Sequence, residues 1–239
     1  MPCNKNSVKI TYVRNDISSN TDLKLYKEDD IYKTGLYVKD SILGVGTLTF
    51  IDPNTKKFGA LGHEITEKST GEILEIKDGE IYASDVTGID ASSNGSPGEK
   101  NANFHTEEVK GNIDENTTQG IFGKYLDELP NKKTYKVASK DDIKLGPAKI
   151  LTVLSGSEIN EYNIEITKIN NLDSKNKNFV FKITDNILLE KTGGIVQGMS
   201  GSPIVQDDKI IGAVTHVVVN NPTNGYGIFI VNMLKEAEN

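Results

Sequence analysis

Apolar and polar positions alternate with a period of two along most of this chain, and that pattern predicts strands. Val8, Ile10 and Tyr12 take turns with polar neighbours, whereas residues 15–30 are polar and mixed in charge, which predicts a surface segment or a short helix. Residues 35–51, GLYVKDSILGVGTLTFI, give a strand with Leu43, Val45, Thr47 and Thr49 on one face, its glycines marking a bend. A turn at Asp52-Pro53-Asn54 returns the chain through 57–61 to Gly62-His63-Glu64. Residues 73–86 read as a hairpin about Asp78-Gly79, 90–108 as a long loop, and 119–122 as a strand before a turn at 130–133. Further strands are expected at 135–138, 148–154, 158–169, 179–184 and 225–231, with one or two helical turns at 232–238.

The stretch from Thr192 to Val219 organises the rest. Gly198-Met199-Ser200-Gly201-Ser202-Pro203 sets a serine between glycines, so the backbone can turn sharply and present Oγ. The same turn aims the N–H groups of Gly198 and Ser200 into one pocket, a candidate oxyanion hole. Behind it, 203–205, a polar turn at Gln206-Asp207-Asp208 and 210–219 form a β-hairpin, because β-branched residues dominate. A serine elbow leading into a helix would indicate an α/β-hydrolase; a strand there favours double β-barrel peptidases. The fold class expected is therefore all-β and chymotrypsin-like. It comprises one peptidase domain over 1–239, with an N-terminal segment 1–34, a first barrel over about 35–130 and a second over about 131–239.

Composition removes several alternatives. The formal charge is −7, and Arg14 is the one arginine among 27 basic residues, so nucleic acid is a poor partner for this chain. Cys3 is the single cysteine, which rules out an intrachain disulfide. No apolar run approaches membrane-spanning length and Met1-Pro2-Cys3-Asn4-Lys5 is no signal peptide, so the chain as written is expected to be soluble.

A serine hydroxyl needs a base within reach. Of three histidines, His63 lies in the other half of the chain from Ser200, as a base contributed by the first barrel should. His105 falls in the polar loop and is expected to face solvent; His216 shares a strand face with Val214 and Val218 and reads as a core or cleft-wall residue. His63-Glu64 begins like the zinc motif H-E-x-x-H, but Glu67 replaces the second histidine, so neither metal nor cofactor is expected.

The blocks GVGTLTFIDPNTKKFGALGH, GPAKILTVLSGSEINEYNIEI and KTGGIVQGMSGSPIVQDDKIIGAVTHVVVNNPTNGYGIFI resemble the peptidase domain of the stage IV sporulation protein B family, over about residues 35–235. That resemblance implies a serine peptidase of endospore-forming bacteria, secreted from the forespore into the space between its membranes. There it would cut a regulatory protein that restrains an intramembrane protease and so activate the late mother-cell sigma factor; self-cleavage is also implied. It assigns the nucleophile to Ser200, the base to His63 and the triad acid to Asp185. Barrel topology alone would seek the acid at Asp85, Asp90 or Asp114, between the histidine and the second barrel. Thr215, His216 and Val217, on the strand after the nucleophile, are expected to bind substrate. The membrane segment and PDZ domain of full-length relatives are absent from this sequence. The rival reading is a non-catalytic module that holds a peptide by strand addition on a peptidase fold.

Overall fold

The computed structural model describes residues 6–14, 17–36, 42–67, 70–76, 78–170 and 174–238. Met1 to Lys5, with Cys3, lie outside the described residues, as do parts of the segments read above at 15–30, 35–51 and 73–86. Two compact units divide the chain, Met1–Leu43 and Gly44–Asn239.

In the first unit β1 (Ser7–Arg14) pairs antiparallel with β2 (Ile17–Lys24), and β3 (Tyr26–Glu28) with β4 (Ile31–Lys33). The segment expected to be a linker or helix is thus strand. Its residues are nearly all exposed, so no apolar alternation announces them. The β3–β4 turn is made by Asp29 and Asp30, both at positive φ, as a two-residue hairpin turn requires.

The second unit carries the remaining elements: β5 (Leu48–Ile51), β6 (Lys57–Ala60), β7 (Gly79–Asp90), β8 (Gly98–Thr117), β9 (Gly120–Tyr125), β10 (Lys136–Val137), β11 (Gly146–Val153), β12 (Ile159–Ile169) and β13 (Phe179–Ile183). After them come α1 (Asn186–Thr192), β14 (Val196–Gln197), β15 (Pro203–Gln206), β16 (Lys209–Val217), β17 (Asn224–Phe229) and α2 (Ile230–Ala237). Strands β16, β15, β11, β12, β13 and β17 pair in that order, and β17 pairs back onto β16, closing a six-stranded barrel. The alternation in β12 and β13 fills it: Tyr162, Ile164 and Ile166, and Phe179, Phe181 and Ile183, point inward around Ile150, Met199, Ile204 and Val214. A second sheet, β14-β8-β9-β6-β5 with β7 on β8, curls into a half-barrel around Phe58, Ala60 and Ile121. The architecture is all-β and chymotrypsin-like, with one barrel closed and the other open.

Three local expectations are corrected. Among the described residues no hairpin forms about Asp78-Gly79: Ile73 bridges Thr66, and β7 runs from Gly79 against β8 with three shifts of register. The long loop expected at 90–108 shrinks to a turn, because β8 begins at Gly98 and is held by β7, β9 and β14, a threefold pairing that overrides the low strand propensity of Asn, Glu and Gly. Helix α1, absent from the reading above, is bounded by an Asp185 cap and by Gly193 at φ 65, both helix-boundary signals.

Candidate active site

Glycine gives the serine turn its shape. Gly198 and Gly201 sit at φ 90 and 89, and a Cβ on Gly201 would stand 2.1 Å from the carbonyl oxygen of Thr47. The turn is clamped on both sides: Thr47 N–H donates to Ser200 O (2.9 Å), Thr49 Oγ1 to Gly201 O (2.8 Å) and Gly201 N–H to Val214 O (2.7 Å). Thr47 Oγ1 donates to Gly198 O at 2.8 Å and Ser202 N–H to Met199 O at 2.9 Å. Among the described residues neither the Gly198 N–H nor the Ser200 N–H finds an acceptor, so both donors of the expected oxyanion hole are free for a ligand.

His63 follows a turn in which Leu61 and Gly62 take φ 66 and 69. The Gly62 backbone lies against Thr215, whose Cγ2 would be 3.1 Å from a Cβ there. Ser200 Oγ donates to the carbonyl of that same Thr215 at 3.0 Å, and the His63 ring stands 5.0 Å from the ring of His216. Histidine from the half-barrel and serine from the closed barrel therefore converge on Thr215-His216, although the serine proton is directed at Thr215 O and not at His63. Thr215 is the extra residue of a bulge between Val214 and His216, which explains why its carbonyl leaves the ladder. Past Ala213, β15 no longer covers β16, so among the described residues His216 and Val217 present one backbone edge without a strand.

Nδ1 of His63 lies 2.7 Å from the Glu64 carbonyl oxygen. A carbonyl only accepts, so Nδ1 carries a proton and in the neutral ring Nε2 is the free acceptor. None of the four carboxylates considered from the sequence is hydrogen-bonded to His63. Asp185 caps α1: its Oδ1 accepts from Ile187 N–H (3.0 Å) and Leu188 N–H (3.1 Å), and its Oδ2 from Asn163 N–H (3.1 Å). Asp85 accepts from His105 Nε2 at 2.8 Å, and Asp90 from Asn101 at 3.1 Å, while Asp114 is exposed on β8. His105 sits on a strand, half-exposed, and its Asp85 partner raises its pKa.

His216 lines the site without hydrogen-bonding through Nδ1, which is buried and has no partner. Burial first, then the nearby His63 and Lys177, push its pKa down to about 4, so the ring beside His63 is neutral at pH 7. No cluster of three His, Cys, Asp or Glu able to hold a metal occurs among the described residues, and none of their helices is long and apolar enough to cross a membrane.

A search of curated proteins finds no match to the chain. The profile of the family described as SpoIVB peptidase S55 matches residues 30–234, so the chain belongs to that family of serine peptidases.

Proposed function

We propose that Ser200 is the nucleophile and His63 the general base of a peptidase that cuts a regulatory protein in sporulation signalling. In the acylation step the Ser200 hydroxyl turns from Thr215 O to the free Nε2 of His63, gives up its proton there and attacks the scissile carbonyl carbon. The oxyanion is held by the N–H groups of Gly198 and Ser200, each such donor typically worth roughly 10²–10³ in kcat. His63 then protonates the leaving amine, and water, deprotonated by the same imidazole, releases the acyl-enzyme. Substrate would add as an antiparallel strand along the open edge of His216 and Val217.

The single observation carrying this reading is the meeting of Ser200 and His63 at Thr215-His216 beside two unpartnered N–H groups. Asp185 enters as a positioning residue: by capping α1 it anchors the helix that leads through Gly193 to the serine turn, while the Glu64 carbonyl fixes the imidazole. Family membership supports the sporulation setting, and with it a site of action in the space between the forespore membranes, self-cleavage and a PDZ partner domain in relatives.

One observation favours the non-catalytic alternative, the bond from Ser200 Oγ to Thr215 O in place of His63. A fluorophosphonate probe separates the two. Labelling of the parent that disappears in Ser200→Ala and falls at least about a hundredfold in His63→Ala supports catalysis. A parent that does not label is a binding module.

A further inference from the structure

Lys100 is the one lysine buried among the described residues, 6% exposed, and it lies directly beneath the serine turn. Strand β8 places it there: Val196 and Gln197, just before the turn, pair in parallel with Gly98 and Glu99, so the next residue inward is Lys100. Its stem packs on Gly198, with Cβ and Cδ each 3.2 Å from where a Cβ on that glycine would stand. Among the described residues the ammonium meets no carboxylate. Its hydrogen bond goes to Thr152 Oγ1 on β11 at 2.8 Å.

From Thr152 a line of buried hydroxyls runs to the turn. Ser202 Oγ lies 3.2 Å from Thr152 Oγ1 and 3.4 Å from Thr47 Oγ1, and Thr47 Oγ1 donates to Gly198 O at 2.8 Å. An ammonium can only donate and a carbonyl can only accept, so hydroxyls that rotate freely between those two ends are able to pass their hydrogen bonds in one sense, from Lys100 to Gly198 O. A buried cation without a counter-ion costs folding free energy, and perturbed ionisable groups of this kind concentrate at functional sites.

We infer that Lys100 is a positioning residue for the peptidase reaction proposed above, on which this inference rests: its charge orders the Thr152-Ser202-Thr47 hydroxyls, pins the Gly198 carbonyl and so holds the oxyanion hole open. The same charge adds positive potential under the developing oxyanion, in a site dry enough for it to count. Burial alone lowers the pKa of Lys100 from 10.5 to about 8, so this support is present below that pH and lost above it. Among the described residues no other titratable group faces it. Val45–Thr47, Gly198–Ser202 and Thr152 are neutral, and the nearest acids on the paired strands, Asp90 and Glu99, lie on the opposite face of the sheet.

The test is the rate at which a fluorophosphonate, whose phosphoryl oxygen occupies the oxyanion hole, labels Ser200 on either side of pH 8. The parent rate should fall as pH rises through about 8. In Lys100→Met, of similar length without charge, the rate below that pH should drop between about tenfold and a hundredfold and the fall should vanish. Thr152→Val, which keeps the lysine but cuts the line of hydroxyls, should lower the rate in the same way while the protein still melts cooperatively. A Lys100→Met protein that labels at the parent rate, or keeps the parent pH profile, overturns the inference while leaving the peptidase reading intact. So does loss of the fold in both variants, which would make the lysine structural. A parent that never labels overturns both readings.

Discussion

Asp185 separates two ways of building the same reaction. A triad acid must touch the imidazole, yet both oxygens of this carboxylate accept backbone N–H groups, at the start of α1 and from Asn163. Asparagine caps a helix about as well as aspartate, so Asp185→Asn should retain activity within about tenfold. A residue acting as triad acid would instead lose about 10⁴ in kcat on that change. Asp185→Ala should cost about 1 kcal/mol of stability, read by urea denaturation, with activity falling in step with the loosened loop. At this scale the sequence is informative where function needs a special backbone. Ser200 and His63 stand out because Ser200 lies between Gly198 and Gly201 and His63 directly follows Gly62. Lys100 does not stand out, since nothing local distinguishes a lysine facing a core from one facing water; only the pairing of β8 with β14 turns it inward.

Among elements, legibility followed the burial pattern. β12 and β13 alternate cleanly because one face lines the closed barrel, and they lie where the alternation puts them. β8 is strand for a different reason: its Asn, Glu and Gly residues are held by neighbours on both sides, and no window of its own sequence records that. The serine turn depends on backbone more than on side chains, which can be measured with two glycines. Gly201 and Gly156 both have positive φ, at 89 and 59, but a Cβ at Gly201 meets Thr47 O whereas one at Gly156 meets open space. Gly156→Ala should cost about 1 kcal/mol, the conformational term alone. Gly201→Ala should cost about 2–3 kcal/mol and abolish probe labelling, because relief of the clash must shift the clamp that Thr47 places on Ser200.

Taken whole, the molecule unites a closed barrel and an open one around a site whose own electrostatics work against stability. His216 shows this on the acid side. Its folded pKa of about 4 lies below the ordinary histidine value of 6.5, so between those values the unfolded chain binds more protons than the folded one, and stability must fall as pH drops through that window. The groups that set this are all in the site: burial against β17, the repelling His63 and Lys177, and Glu64, which opposes them. His216→Asn removes the titration and keeps a polar, uncharged side chain at the position. The parent should therefore lose more of its thermal midpoint than His216→Asn as pH is lowered from 6.5 towards 4, while the two should run parallel above 6.5. If instead the two curves remain parallel down to the lower pH, His216 is protonated in the folded state at no cost. Burial would then not hold the ring beside His63 neutral below pH 6.5.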